Sequence, residues 1–280
     1  SSLVQRRVVY PPGRASSSSY EGMAKDWNSK NLSGSNFSSG VWLPNSTTFH
    51  NVRFTGSNLT KLFVNSGILK FEASDFKSTD FSGADITSVF FYCSDLRGAN
   101  FTGAIMFATH FDHKSDGVCS SIPPTDLTGA IFVGSEFKNT RFNGSARAAD
   151  FSYSTHIQTG GSGIVSQADL SFSKFIGADY SNEGRGFRWQ FVSLDFADMR
   201  SANFANNDFA ATNGTVTMVG ADLRETNLTN TIWTGVNLRN ANLLGSNLTG
   251  ADLLQVIWDN TTCPDGTNSN DNSNTCEFNL

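Results

Sequence analysis

The stretch HFDHKSDGVC, residues 110–119, holds the side chains of this sequence best suited to bind a metal ion. His110, Asp112, His113 and Cys119 are all ligand types that zinc accepts. Their spacing matches no standard zinc-binding pattern, and a polar loop is the simpler interpretation. We therefore expect no metal site in this stretch.

A second candidate is the tail segment DGTNSNDN, residues 265–272, which alternates oxygen-bearing side chains like a calcium loop. It lacks the Glu that closes an EF-hand loop, so we expect a polar cap. Catalytic groups are scarce elsewhere. The chain has four His, and it contains no G-x-S-x-G, H-E-x-x-H or glycine-rich phosphate loop. We expect a non-enzymatic protein without catalytic residues or a cofactor.

Composition narrows the remaining classes of function. The chain has 280 residues, a net charge of −5 and only 16% charged residues. This mild balance argues against binding nucleic acid by electrostatic attraction. No window approaches 18 uninterrupted apolar residues, so no membrane span is expected. The first residue is Ser and no signal-peptide pattern follows, which predicts a processed chain or one whose start is set by expression.

The elements that position these groups come from a five-residue period. In residues 235–253, GVNLRNANLLGSNLTGADL, the bulky apolar residue is always five places on, a small residue precedes it by two and Asn or Asp by one. This period fits neither an α-helix nor a flat strand. The bulky positions predict a core ladder that includes Leu223, Leu228, Leu238, Leu243, Leu248 and Leu253, and in an earlier run Phe76, Phe81, Ile86, Phe91, Leu96 and Phe101.

The pattern resembles that of the pentapeptide-repeat family, A-(N/D)-L/F-X-X, over roughly residues 31–258. The resemblance implies an all-β fold, a right-handed quadrilateral β-helix in which each unit forms one face and four units form one coil. Stacked coils would bury the core that no single unit can bury alone. About ten coils at ~4.8 Å give a rod on the order of 50 Å long.

Three regions follow from this interpretation. Residues 1–30 form a basic arm without the repeat, residues 31–258 form the β-helix with loop insertions at 112–125 and 158–167, and residues 259–280 form a polar cap. We expect the arm to bind a partner through Arg6, Arg7 and Arg14, anchored by Tyr10 and Trp27. The alternative is that the arm only caps the first coil.

Four cysteines allow two bridges in three connectivities. The tail resembles the Cys-bearing tails of some exported bacterial and thylakoid-lumen members of the family, where a Cys263–Cys276 bridge would close the cap. With a coil of about 20 residues, the loop after residue 112 begins over Cys93, which makes Cys119 its candidate partner. Disulfides favour an oxidising compartment, the thylakoid lumen or the periplasm, over the cytoplasm.

Three functions compete at this point. The first is a rigid rod that binds protein partners as an accessory subunit of a larger assembly, including a photosynthetic one in the lumen, and meets a membrane only through its partner. The second rests on family members that mimic DNA and bind DNA gyrase, which requires a continuous acidic stripe. Asp75 and Asp95 lie one coil apart, but twenty residues further on comes Ser115. The third is binding of a small molecule or an ion by the loops.

Overall fold

The computed structural model describes residues 27–37, 41–43, 47–60, 62–64, 67–112, 119, 121–157, 164–181, 188–210 and 216–278. Its regular elements are short parallel strands: β1 Val41–Leu43, β2 Thr48–His50, β3 Leu62–Val64, β4 Leu69–Glu72, β5 Val89–Tyr92, β6 Ile105–Phe107, β7 His110–Asp112, β8 Thr125–Asp126, β9 Glu136–Lys138, β10 Arg141–Phe142, β11 Gly144–Ser145, β12 Thr155–Ile157, β13 Ile164–Ser166 and β14 Arg188–Gln190. A 3-10 helix covers Ser269–Asp271.

Parallel pairing stacks these strands and many single bridges into four faces, which confirms the predicted right-handed, four-sided β-helix. Face A follows, from first coil to last, Asn31, Arg53, Asp75, Asp95, Asp126, Ser145, Asp169, Ser193, Thr217, Asn237 and Ile257. Face B follows Asn36, Asn58, Asp80, Asn100, Ile131, Asp150, Lys174, Asp198, Asp222, Asn242 and Thr262.

The other two faces complete the square. Face C runs from the β1–β3 pair through Asp85, Ile105, Glu136, Thr155, Asp179 and Asn203 to Asn227 and Asn247. Face D is the seven-stranded sheet β14-β13-β10-β7-β5-β4-β2, continued by Asp208, Ile232 and Asp252. Ten steps along face A, at about 4.8 Å each, give a rod of about 48 Å.

One unit, residues 241–245, explains why the sequence takes this shape. Ala241 and Leu243 point inward and are buried. Asn242 lies between them, and its Oδ1 accepts a hydrogen bond from the Leu244 backbone N–H at 3.1 Å. Gly245 takes φ +71° at the corner. The side-chain bond fixes the turn locally, and the left-handed residue completes it.

Polar residues at the small inward position are satisfied by the backbone. Thr79 Oγ1 donates to the Phe54 carbonyl at 2.8 Å, and Thr226 Oγ1 donates to the Met199 carbonyl at 2.9 Å. Each acceptor belongs to the preceding coil. A buried hydroxyl therefore fits this interior because it finds a carbonyl one level away.

The bulky inward residues form continuous ladders. Phe81 stacks on Phe101 with ring centroids 4.8 Å apart, and Phe101 stacks on Phe132 at 4.9 Å. The structure buries every position of the expected core ladder: Phe76, Phe81, Ile86, Phe91, Leu96, Phe101, Leu223, Leu228, Leu238, Leu243, Leu248 and Leu253. The spacing of the rings matches the strand spacing, so in-register pairing and aromatic stacking support each other.

The expected place of Ser115 below Asp95 is wrong. Asp126 pairs with Asp95 on face A, 31 residues later in the chain. The excursion after β7 delays the next coil, so counting in steps of twenty fails there.

The two ends of the rod are closed differently. At the first coil, the ring of Trp27 lies 5.3 Å from that of Phe49 and 5.5 Å from that of Phe54. At the last coil, Thr262 pairs antiparallel with Asn268, and the chain returns over the core. Within the described part of the chain, no helix has the length and apolar character needed to cross a membrane.

Candidate functional site

Departures from the five-residue spacing are concentrated around face D. From the second coil onward, faces A, B and C always follow one another at intervals of five residues. Every longer or shorter interval borders face D, and the intervals run from Phe63 to Lys70, His110 to Asp126, Arg141 to Ser145, Thr155 to Ile164, Asp179 to Arg188 and Asp208 to Thr217. Insertions that gather around one face of a repeat protein often mark its binding face.

One outward row of face D combines basic and aromatic side chains. Strand pairing aligns Lys70, Phe90, His110 and Arg141 on successive coils. The rings of Phe90 and His110 stack with centroids 4.1 Å apart and planes within 8°. An aromatic pair between two cations offers the kinds of residue that dominate protein interfaces.

The neighbouring row contains His50, Glu72, Tyr92 and Asp112, also on successive coils. His50 Nδ1 lies 3.2 Å from Glu72 Oε2, and Glu72 is buried. Tyr92 meets the ring of Phe90 edge to face, with centroids 5.7 Å apart. The two rows therefore form one aromatic and charged surface across strands β2, β4, β5 and β7.

The electrostatics of this surface do not favour acid–base catalysis. Burial under the neighbouring side chains lowers the pKa of His110, and the Arg141 guanidinium lowers it further, while Asp112 acts in the opposite direction. His110 is therefore neutral at pH 7, which suits stacking on Phe90. Among the described residues, no group of three His, Cys, Asp or Glu is placed to hold a metal ion.

A disulfide fixes one border of face D. Cys93 directly follows Tyr92 at the corner and is bonded to Cys119, with Cα atoms 5.8 Å apart. The sulfur of Cys119 is thus committed to the bridge and offers no thiolate to zinc. Of the other zinc candidates, His113 lies outside the described residues, and His110 and Asp112 lie in different outward rows.

The second disulfide lies in the cap. Cys263 and Cys276 are bonded and fully buried. The Asp265 carboxylate accepts hydrogen bonds from the backbone N–H and the hydroxyl of Thr267 at 2.9 and 2.7 Å. Part of the oxygen set of the calcium-like segment is therefore used to build a turn.

The residues expected to form the partner-binding arm separate into two groups. Arg6, Arg7, Tyr10 and Arg14 lie outside the described residues. Trp27 packs on Phe37, Phe49 and Phe54 at the end of the core. Its contacts agree with the alternative that this part of the arm caps the first coil.

Opposite charges alternate on face A, where a DNA mimic would need a continuous acidic stripe. Lys77 Nζ lies 3.0 Å from Asp75 and 3.6 Å from Asp95. Arg97 lies 2.6 Å from Asp95 and 3.8 Å from Asp126. Each carboxylate in this run has a cation beside it, so the ladder presents no net acidic stripe.

Sequence reasoning missed Phe90 and Tyr92. A signal was available, because both flank the core position Phe91 in VFFY, at outward places where other units carry polar residues. An aromatic residue at a position that the repeat assigns to solvent indicates a surface with a use beyond folding.

The geometry defines a class of protein, the parallel β-helix with four faces built from five-residue units. The family model for pentapeptide repeats matches residues 70–103 and 218–253, in eight copies. The chain is therefore a pentapeptide-repeat protein, as its sequence predicted. No curated protein matches the chain closely enough to count as a relative.

Solved structures show the same fold. HetL, a pentapeptide repeat protein involved in heterocyst differentiation regulation from the cyanobacterium Nostoc sp. strain PCC 7120, has a TM-score of 0.53 and 20% identity, over 89% of this chain and 97% of that one. QnrB1, a plasmid-mediated fluoroquinolone resistance protein, gives 0.38 and 19%, over 73% and 90%. A pentapeptide repeat protein from the Arabidopsis thaliana thylakoid lumen gives 0.13 and 16%, over 66% and 71%. Only the first score is high enough to carry an argument, and it concerns the fold alone.

Proposed function

We propose that this protein is a non-catalytic scaffold that binds a protein partner through face D. The observation that carries the proposal is the concentration of spacing changes at the two corners of that face. The Phe90–His110 stack, flanked by Lys70 and Arg141, supplies the aromatic and basic anchors that a partner would cover.

The partner belongs to a larger assembly in this proposal, and the compartment is oxidising. Two disulfides, Cys93–Cys119 and Cys263–Cys276, support export or a lumenal location, because such bonds persist outside reducing compartments. The thylakoid lumen and the periplasm both fit. A photosynthetic assembly rests on the resemblance of the tail alone.

DNA mimicry is the alternative function, and the charge ladders give it little support. A mimic must present unpaired carboxylates in a row, whereas Asp75, Asp95 and Asp126 alternate with Lys77 and Arg97. A ligand site formed by the loops has no specific observation in its favour.

The arm contributes to the same proposal. Deleting residues 1–26 leaves Trp27 in place over the first coil, so the melting temperature should stay unchanged while the rod leaves its assembly. A lower melting temperature with intact assembly would mean that the arm acts only as a cap.

The size of the native complex tests face D. Phe90→Ser and Tyr92→Ser remove aromatic area from that face, whereas Arg97→Ser changes face A as a matched surface control. In gel filtration of a native extract, the wild type and the Arg97 variant should elute in a large complex and both face D variants at the size of the free rod. Retention of both face D variants in the complex, with folding intact, would contradict the proposal.

A further inference from the structure

Face B carries two parallel outward columns of opposite character over its central and C-terminal coils. The first column contains Ile131, Asp150, Lys174, Asp198, Asp222 and Asn242. The second lies two residues later in each unit and contains Val133, Ser152, Ile176, Arg200, Arg224 and Leu244. At the two levels where the second column carries Arg, the first carries Asp.

The charged part of these columns is an ordered ladder. Arg200 Nη2 lies 2.7 Å from Asp198 Oδ2, and Arg200 Nε lies 3.6 Å from Asp222 Oδ2. Arg224 lies 2.6 Å from Asp222. The hydrogen bonds from Arg200 hold the pKa of Asp198 below its usual range. Each guanidinium has five N–H groups, so these contacts leave donors facing solvent.

Aromatic rings form a ridge along the edge that face B shares with face A. The exposed fractions of Phe172 and Phe196 are 46% and 55%, and their rings stack with centroids 5.2 Å apart. The Arg147 guanidinium covers the outer ring at 4.3 Å. A Cβ on Gly220 would lie 2.6 Å from the Phe196 ring, so the ridge ends on that glycine.

The ridge residues occupy an unfavourable backbone conformation. Phe172 and Phe196 have φ of 62° and 58°, in the left-handed region. Such backbone costs about 1–3 kcal/mol for a residue with a side chain and clusters at functional sites. Apart from these two, the same corner carries Gly, Ser, Ala or Asn in the described coils, which shows that the turn itself does not need an aromatic ring.

The opposite edge of face B has a groove in place of a ridge. At the levels of Phe172 and Phe196 it carries Gly177 and Ser201. A groove of about 220 Å³ there is lined by Ile176, Arg200, Ser201, Arg224 and Glu225. The face thus has a protruding edge and a recessed edge at nearly the same height along the rod.

We propose that face B binds face B of a second copy of this chain, with a two-fold axis parallel to the rod and midway between the two columns. This operation exchanges the columns and the two edges. Asp198 then faces Arg200 of the second copy, Asp222 faces Arg224, and Ile131 faces Val133. The Phe196 ridge enters the groove of the other rod. Such an interface is isologous, and no like charges face one another across it.

Face A does not satisfy the same operation. Its edges carry Phe191 on one side and Phe196 on the other, at 49% and 55% exposure and in one coil. Two ridges would meet there. This difference is why the pairing is assigned to face B, and it makes face A the internal control.

Charge exchange tests the pairing by analytical ultracentrifugation. The wild type should sediment as a dimer, and Arg200→Asp and Asp198→Arg should each weaken dimerisation by about tenfold or more, because like charges then oppose one another. An equal mixture of the two variants should restore a heterodimer, because each Asp then faces an Arg. Arg97→Asp, which breaks the equivalent ladder on face A, should remain dimeric.

A wild type that sediments only as a monomer would overturn the pairing, as would a mixture that stays monomeric although both variants keep the β-type circular dichroism of the wild type. The outcome is independent of face D, because a rod that fails to dimerise can still enter its native complex, and a dimer can form without one.

Discussion

Residues 218–253 and residues 145–217 build the same four faces in different ways. In the first region every coil takes 20 residues, and the bulky inward positions of the run are Met, Leu and Trp. In the second, Ser145, Asp169, Ser193 and Thr217 lie 24 residues apart. The interior there includes His156, which stacks between Phe137 and Tyr180. The family model matches the first region and omits the second.

The comparison teaches that each face of the rod is an independent ladder. The extra residues of the wide coils enter at the corners of face D, and faces A and B keep their five-residue spacing throughout. Insertions can therefore accumulate around one face while the core and the other faces stay in register. Function can be added at a corner with little effect on the fold.

The largest effect should come from charging the interior of the regular region. Leu243 is fully buried and Leu244 beside it is 45% exposed. Leu243→Asp should lower the free energy of unfolding by about 4 kcal/mol or more, because an unpaired carboxylate would enter the core. Leu244→Asp should change it by less than about 0.5 kcal/mol. Urea denaturation of both variants measures the difference, and equal stabilities would remove the basis for the inward and outward assignments.

A matched pair of cavities tests whether the wide coils are packed as well as the regular ones. Leu194 in the wide region and Leu243 in the regular region are both fully buried. Leu194→Ala and Leu243→Ala should each cost about 3 kcal/mol in urea denaturation. A much smaller loss at residue 194 would show that the wide coils are loosely packed and that the ladders are not equivalent.

Acid should separate the two regions. Burial lowers the pKa of His156 to about 4, from 6.5 for an exposed His. The unfolded chain therefore binds the proton more readily between these values, so the contribution is complete above pH 6.5 and is lost as the pH falls towards 4. The loss amounts to about 3 kcal/mol.

Two measurements resolve this acid effect. Hydrogen exchange should show residues 145–217 opening before residues 218–253 as the pH falls through that window. His156→Phe should flatten that part of the stability profile, since Phe carries no charge in either state. An unchanged profile in the Phe variant would place the acid sensitivity elsewhere.

The smallest effect concerns the aromatic corner. Phe196→Asn places a residue tolerant of left-handed backbone where other corners have Asn206, Asn230 and Asn240. Lost stacking on Phe172 and relieved backbone strain should nearly cancel, with a change in the free energy of unfolding of about 0.5 kcal/mol or less. Thermal denaturation at matched concentration of monomer provides the check. A loss of several kcal/mol would mean that the ridge is retained for folding.

The regular region could be read from the sequence, and the wide region could not. A five-residue period with small, Asn or Asp and bulky positions specifies face, burial and turn together, so Leu238 and Leu243 were assigned correctly. The expected register slips near Ala148 and Phe196 have different physical origins. Near Ala148 the unit between Arg141 and Ser145 is one residue short, so Ala146 points inward and Arg147 outward.

At Phe196 the sequence contains no slip. Leu194 and Met199 are the inward residues, and Phe196 is an exposed corner residue that hides the phase because it is aromatic. The outward rows of face D depend on which coils lie above one another. That order was beyond prediction because the lengths of the excursions cannot be anticipated from a local five-residue pattern.

Site-specific photo-crosslinking tests the central claim, that face D is the partner-binding face. A photoreactive residue is placed at position 90 on face D, or at position 128 on face A, in the protein expressed in its native cell. The account predicts one discrete crosslinked product from position 90, removed by Lys70→Asp with Arg141→Asp, and none from position 128. The same product from both positions, or a product from position 128 alone, would contradict it.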